Sequence, residues 1–290
     1  MIHHLENENL KVAVISKGAE LKSVFDKTTQ QELLWQADPA FWRKSSPVLF
    51  PIVGTLKDDT YIYNQKKYKL SRHGFARDYN FILYKMSDTQ VIFSLESSAE
   101  TLKIYPFSFR LQIIYTLNHD SLKVEYIVEN LSDEEIMYFS LGAHPAFNVG
   151  NTPKDFDDYK LFFNNDPELN ASYLNNGLLK ADQHTILLNY KTLVLNYKLF
   201  ENDALVLLNM KSDKITLLDG DNTNLLTFEF ENFPYFGLWT VKDSGFICLE
   251  PWAGFSDFED HNQQLTDKLG INILHPQESW SGSWIVTILL

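Results

Sequence analysis

The strongest constraint on this chain is a two-residue rhythm between residues 109 and 130. In FRLQIIYTLN, residues Phe109, Leu111, Ile113, Tyr115 and Leu117 fall on one face. After HDS, the run LKVEYIVEN repeats the pattern with Leu122, Val124, Tyr126 and Val128. Strand side chains alternate between faces, so two such runs joined by a short turn predict an antiparallel hairpin with one buried face. The same reading extends to KVAVIS, QVIFSLES, LLTFEFE, FGLWTV, FICLEP and SWIVTILL. Helical signal is sparse. PAFWRK reads as a turn, and HNQQLTDKLG as a short helix ending at Gly270. NVGNTPKDFDDY, residues 148–159, reads as the longest loop.

No fixed-period repeat and no low-complexity linker interrupts these strands. They predict an all-β fold, a large antiparallel β-sandwich with few short helices, as a single domain over residues 1–290. With 44% hydrophobic residues in 290, the chain can bury a sizeable core. A net charge of −13 argues against nucleic acid and anionic membrane as partners. Cys248 is the only cysteine, so no intrachain disulfide framework exists. The opening MIHHLENENLKV lacks a basic region followed by an apolar run, and no stretch approaches the roughly 20 apolar residues of a membrane helix. Cytoplasm is the expected location.

Three stretches place ionisable groups where packing alone would not. The first is LSRHGFARDYNF, with Arg72, His73 and Arg77 around a Gly-Phe step. In a strand, Arg72 and His73 would point to opposite faces, so Arg72 is expected to face away from whatever His73 serves. Arg77 is placed to brace the turn through Asp78 or another acid. The second is SLGAHPAFNV. Pro145 keeps His144 out of the helical region, among small and apolar neighbours that would partly desolvate its imidazole. A lone histidine in such a place is more commonly a hydrogen-bonded core residue. The third is GFICLEPWAGFSD, where Phe246, Cys248 and Glu250 share a face. Glu250 ends an apolar face, where an unpaired carboxylate is costly, so it requires donors or a pocket mouth. A structural salt bridge and a functional role weigh about equally. Trp252 follows it, and an aromatic ring beside a carboxylate suits a sugar. Cys248 reads as a small core residue.

Together these stretches resemble the aldose 1-epimerase (galactose mutarotase-like) family, in its divergent bacterial branch. The resembling segments, in order, are SPVLFPIVGTLKDD, YKLSRHGFARDYNF, LGAHPAFNV, LFENDALVL and FICLEPWAGFSD, running from about residue 45 to 260. The resemblance implies a β-sandwich with the active site on a concave face, and cofactor-free interconversion of the anomers of an aldohexose such as galactose or glucose. It implies that His144 protonates the ring oxygen, that Glu250 takes the anomeric hydroxyl proton and that His73 contacts the sugar near the ring oxygen. Substrate-binding candidates are Arg72, Asp203 of FENDAL, Trp252, Phe147, Arg77 and Lys57. Where the family commonly has a Gly-Arg step, this chain has Thr55, so Lys57 or Arg72 is expected to supply the missing contact.

The expected partner is a small monosaccharide, and a homodimer is left open. In the free protein Glu250 is expected ionised and His144 protonated or donating a hydrogen bond. Three alternatives stand beside this reading. A hexose-6-phosphate mutarotase would need a cationic clamp from Arg72, Arg77, Lys57 and Arg43. A sugar-binding module without turnover would not need both His144 and Glu250. A metal site from His73, His144 and Glu250 has suitable donor types but no recognised spacing, and no metal or other cofactor is expected.

Overall fold

The computed structural model describes residues 1–150 and 153–289. The 109–130 rhythm folds as expected. Strands Phe109–Asn118 and Ser121–Asn130 pair antiparallel, with Leu111 opposite Val128 and Tyr115 opposite Val124 across a tight turn at His119 and Asp120. They lie within a nine-stranded sheet. Gln90–Glu96 and Ile82–Met86 continue it on one side; on the other follow Ser279–Ile288, Asn224–Glu231, Lys214–Leu218, Lys160–Phe163 and Thr192–Val194.

A second, eight-stranded sheet contains the order Leu178–Leu187, Glu168–Asn175, Leu205–Leu207, Tyr235–Trp239, Phe246–Ala253, Leu141–Ala143, Val48–Leu49. Ala146–Asn148 also pairs with Phe246–Ala253. Leu111, Ile113, Val124, Phe228 and Trp284 from the first sheet share one core with Leu205, Phe236, Leu238, Ile247 and Leu249 from the second. Phe228 bridges the layers, its ring 5.8 Å from Phe147 and 6.2 Å from Phe236. Full burial of each such side chain contributes about 1.5–3 kcal/mol. A four-stranded sheet, Ile2–Glu6, Leu10–Ile15, Leu21–Asp26 and Gln31–Glu32, stands beside them.

The molecule is thus an all-β antiparallel sandwich with only short helical turns among the described residues. No described helix is long and apolar enough to cross a membrane. The helix expected in HNQQLTDKLG shrinks to one 3-10 turn, Leu265–Asp267, because Leu265 and Lys268 turn inward while the chain leaves helical geometry at Lys268. The expected loop at 148–159 ends in a 3-10 segment, Pro153–Asp158; residues 151 and 152 lie outside the described residues.

The strand Phe246–Ala253 is buried along its whole length, because both of its faces are covered. Ile247 and Leu249 point into the inter-sheet core. On the opposite face, Phe246 and Cys248 pack with Trp35, and Trp252 packs with Leu49 and Val53. This outer face carries the site.

Candidate active site

Glu250 and Trp252 follow Cys248 at two-residue intervals, so the alternation read from the sequence delivers them to the outer face. The register brings Gly237 opposite Glu250 and Gly142 opposite Trp252 on the flanking strands. A Cβ on Gly237 would lie 2.5 Å from the Trp252 ring, and one on Gly142 2.7 Å from it. The two glycines leave the space that the Trp252 indole fills on this face.

His144 occupies the break between strands Leu141–Ala143 and Ala146–Asn148, where Pro145 prevents continuous regular geometry. Both short strands pair with Phe246–Ala253, and this shared partner aims His144 at Glu250. Its Nε2 lies 3.3 Å from Glu250 Oε1.

The segment after strand Lys66–Lys69 departs from expectation. It is not a strand at Arg72 and His73: His73 has φ +69° and Gly74 φ +68°. The His73 backbone N–H donates to Gly54 O at 2.8 Å, and Phe75 N–H donates to Phe50 O at 3.0 Å. A Cβ on Gly74 would sit 2.4 Å from Phe50 O, so only glycine allows this approach. Two consecutive left-handed residues cancel the strand alternation, and Arg72 and His73 both face the cavity. The expectation that Arg72 faces away is therefore corrected. Arg77 lines the cavity as well, and donates to Arg72 O at 2.8 Å; its contact with Asp78 is long, at 3.9 Å.

Asp203, itself at φ +74°, receives both terminal nitrogens of Arg72, at 3.0 and 3.3 Å. The resulting cavity has a volume of about 410 Å³, in the range of small-molecule sites. Its walls bring together Arg72, His73, Arg77, His144, Asp203, Glu250 and Trp252. Two predicted binding residues are not among its lining. Phe147 is opposite Ile247 and fully buried, and its ring meets Phe228 in the inter-sheet core, because strand alternation turns it away from His144's side. Lys57 belongs to the turn Lys57–Asp59, and its Nζ donates to His261 O at 3.2 Å.

Sequence reasoning missed Trp42 and Trp239, which complete the wall. Trp42 stacks on His144, with ring centroids 4.8 Å apart and planes 28° apart, while Trp239 meets it edge-on at 5.5 Å and 86°. The available signal was the pair of large rings, Phe41 and Trp42, in the short turn PAFWRK.

Burial controls the protonation of the site. It pushes the Glu250 carboxyl well above its usual range, opposed in part by the Arg72 charge. It also lowers the His144 imidazole to about 3, with Arg72 adding to the effect. Both shifts favour the uncharged pair, which departs from the expectation of an ionised Glu250, while an uncharged His144 can still be the hydrogen-bond donor expected as the alternative to a protonated one. Burial, then Arg72, keeps His73 uncharged as well. Gly54 N–H donates to His73 Nδ1 at 3.1 Å, which assigns the ring hydrogen to Nε2. That nitrogen lies 3.3 Å from Arg72 Nε. An uncharged imidazole accepts at one nitrogen only, so the backbone donor and Arg72 cannot both be served.

Donor atoms of His144, Cys248 and Glu250 lie within 4.8 Å of one another. Burial raises the Cys248 thiol well above its usual range, and the Glu250 carboxyl also retains its proton. Uncharged, the group presents an imidazole, a thiol and a carboxyl to one point, and a divalent cation there would have to displace the protons of the last two.

The family model described as aldose 1-epimerase matches residues 1–286. The plasmid-encoded protein LacX of Lactococcus lactis subsp. lactis is 37% identical, with both chains covered in full. Among solved structures, a galactose mutarotase related enzyme from Lactobacillus acidophilus is 31% identical with a TM-score of 0.93, covering 100% of this chain and 98% of that one. A galactose mutarotase-like protein from Lactobacillus casei is 32% identical with a TM-score of 0.93, and each chain is covered in full. The family model and these relatives cover all or nearly all of the chain, and the chain belongs to the aldose 1-epimerase family.

Proposed function

We propose that this protein is an aldose 1-epimerase that interconverts the α and β anomers of an unphosphorylated aldohexose such as galactose or glucose. The observation that carries the reading is the 3.3 Å approach of His144 Nε2 to Glu250 Oε1 inside the sugar-sized cavity. The pair holds one proton. Moving it from Glu250 to His144 produces a carboxylate base beside an imidazolium acid, and the Arg72 charge favours that carboxylate.

In this form, Glu250 takes the proton from O1 while His144 gives one to O5. The C1–O5 bond breaks, C1 becomes a carbonyl carbon, and the C1–C2 bond is free to rotate. Closure reverses both proton transfers on the other face. His73, with its hydrogen on Nε2, is a donor available to the ring oxygen. Trp252 and Trp239 supply flat apolar walls, and Arg72 with Asp203 supplies a donor and an acceptor to hydroxyl groups.

The phosphate alternative is less well supported. Arg72 is already neutralised by Asp203, and one terminal nitrogen of Arg77 is taken by the Arg72 carbonyl. Lys57 is outside the lining, and Arg43 projects from an exposed turn. Polarimetry of freshly dissolved α-galactose, α-glucose and their 6-phosphates tests the reading. Acceleration is expected with the free sugars and not with the phosphates. A purified, folded protein that binds galactose without hastening its mutarotation would reduce it to a sugar-binding module.

A further inference from the structure

His144 lacks the usual restraint of a proton-transferring imidazole. Nε2 faces Glu250, but Nδ1 is buried and has no hydrogen-bond partner on another residue. Ordinarily the second nitrogen fixes ring orientation through a carbonyl or carboxylate. Here rings surround the imidazole instead: Trp42 over its face, Trp239 against its edge, and His73 edge-on at 6.0 Å and 80°.

Trp42 itself is held firmly. Its backbone N–H donates to Asp38 O at 3.0 Å, and its carbonyl accepts the Trp35 indole N–H at 2.9 Å. Its ring also stacks on Phe246 at 5.7 Å and meets Trp239 at 5.4 Å.

We propose that Trp42 is a positioning residue acting through His144: its indole face substitutes for the hydrogen bond that Nδ1 does not make to another residue, setting the imidazole plane toward Glu250 and keeping water off the ring. The proposal rests on the reading of His144 as the proton-transfer group. Glu250 and Cys248 face that imidazole from the strand Phe246–Ala253. Arg72, His73 and Arg77 face it from the segment after Lys69, and Asp203 lies across the cavity. None of these is altered by replacing Trp42, so a change in His144 titration reports the loss of the indole.

Removing the ring admits water, and the lowering of His144 by burial relaxes toward the ordinary imidazole range near 6.5. The test is a ¹⁵N-histidine NMR titration of wild type, Trp42→Ala, Trp42→Leu and Trp42→Phe, with His144→Asn to assign the resonance. The pH dependence of kcat and KM for galactose anomer exchange accompanies it.

Expected for Trp42→Ala is an upward move of the His144 titration by about one pH unit or more, matched by the acid limb of kcat. At pH 7, kcat falls about ten- to a hundredfold with a smaller change in KM. Trp42→Phe, with a flat ring, keeps a near-wild-type titration and most of kcat. Trp42→Leu, apolar but without a plane, behaves as alanine in kcat and stands in for it should alanine not fold. The proposal is overturned if the alanine and leucine proteins titrate at His144 as wild type does, or if phenylalanine is as impaired as alanine. Should no protein, wild type included, hasten anomer exchange, the functional reading fails, while the NMR titration still decides whether Trp42 governs His144.

Discussion

Glu250 and His144 carry one proton between them, and unfolding tests that statement. In an unfolded chain the two groups return to their usual values near 4.5 and 6.5. Between those values the unfolded pair also holds one proton, so the pair makes no contribution to the pH dependence of stability there. Above 6.5 the unfolded pair has lost its proton while the folded carboxyl keeps it, and stability falls as pH rises. Below 4.5 the unfolded pair gains a second proton, which the folded imidazole takes only near pH 3, and stability falls as pH drops. Glu250→Gln removes the carboxyl contribution alone. The stability of wild type minus that of Glu250→Gln, from urea unfolding at several pH values, is expected to fall above about pH 4.5 by about 1.4 kcal/mol per pH unit until the folded carboxyl ionises. A pH-independent difference would mean that Glu250 is already ionised in the native protein. In the reaction, folded Glu250→Gln and His144→Asn are each expected to lose roughly 10² to 10⁴ of the polarimetric acceleration. Near-wild-type rates for either would sink the assignment of that residue.

At the level of elements, the site depends on how the segment 36–44 is rooted. Its start is held by Trp35, whose backbone N–H donates to Ala146 O at 2.9 Å. Its end is held by buried Glu20, which accepts the Ser45 N–H at 2.7 Å and lies 3.4 Å from Lys22 Nζ. Both anchors reach the turn that carries Trp42. Glu20→Ala leaves the Ser45 N–H without its acceptor, and is expected to cost about 1–3 kcal/mol in urea unfolding. Trypsin is expected to cleave at Arg43 and Lys44 faster in that variant; unchanged cleavage would show that Glu20 does not secure the turn.

These anchors also show how much was legible in the sequence. Alternation placed Glu250 and Trp252 on the outer face, and Pro145 put His144 at a strand break, because those effects are local. The direction of Arg72 was not legible, since two consecutive left-handed residues are imposed by contacts with Gly54 and Phe50, about 20 residues away in the chain. Phe147 and Lys57 failed as cavity residues for a related reason. A motif lists neighbours in sequence, whereas strand pleating and a surface turn send these two side chains elsewhere. Trp42 escaped notice because nothing in PAFWRK says which ring it will meet.

Across the whole molecule, a chain of net charge −13 brings arginines into its cavity and then matches Arg72 with Asp203. In the proposed function, that match would favour a neutral ligand over an anionic one. Releasing Arg72 by Asp203→Asn is expected to slow galactose mutarotation while raising the rate on galactose 6-phosphate relative to galactose. An unchanged ratio, measured by polarimetry on both sugars, would show that the Arg72–Asp203 pair does not set this preference.

The 3.3 Å approach of His144 to Glu250 has a further consequence for the proposed reaction. In the proposed function, ring opening would move a proton onto Glu250 and another off His144, and ring closure would send each back the way it came. Such a pair would finish every cycle in the state in which it began, whichever anomer entered. Nothing would be drawn from the buffer to restart it, and both directions of the interconversion would run on the same closed loop.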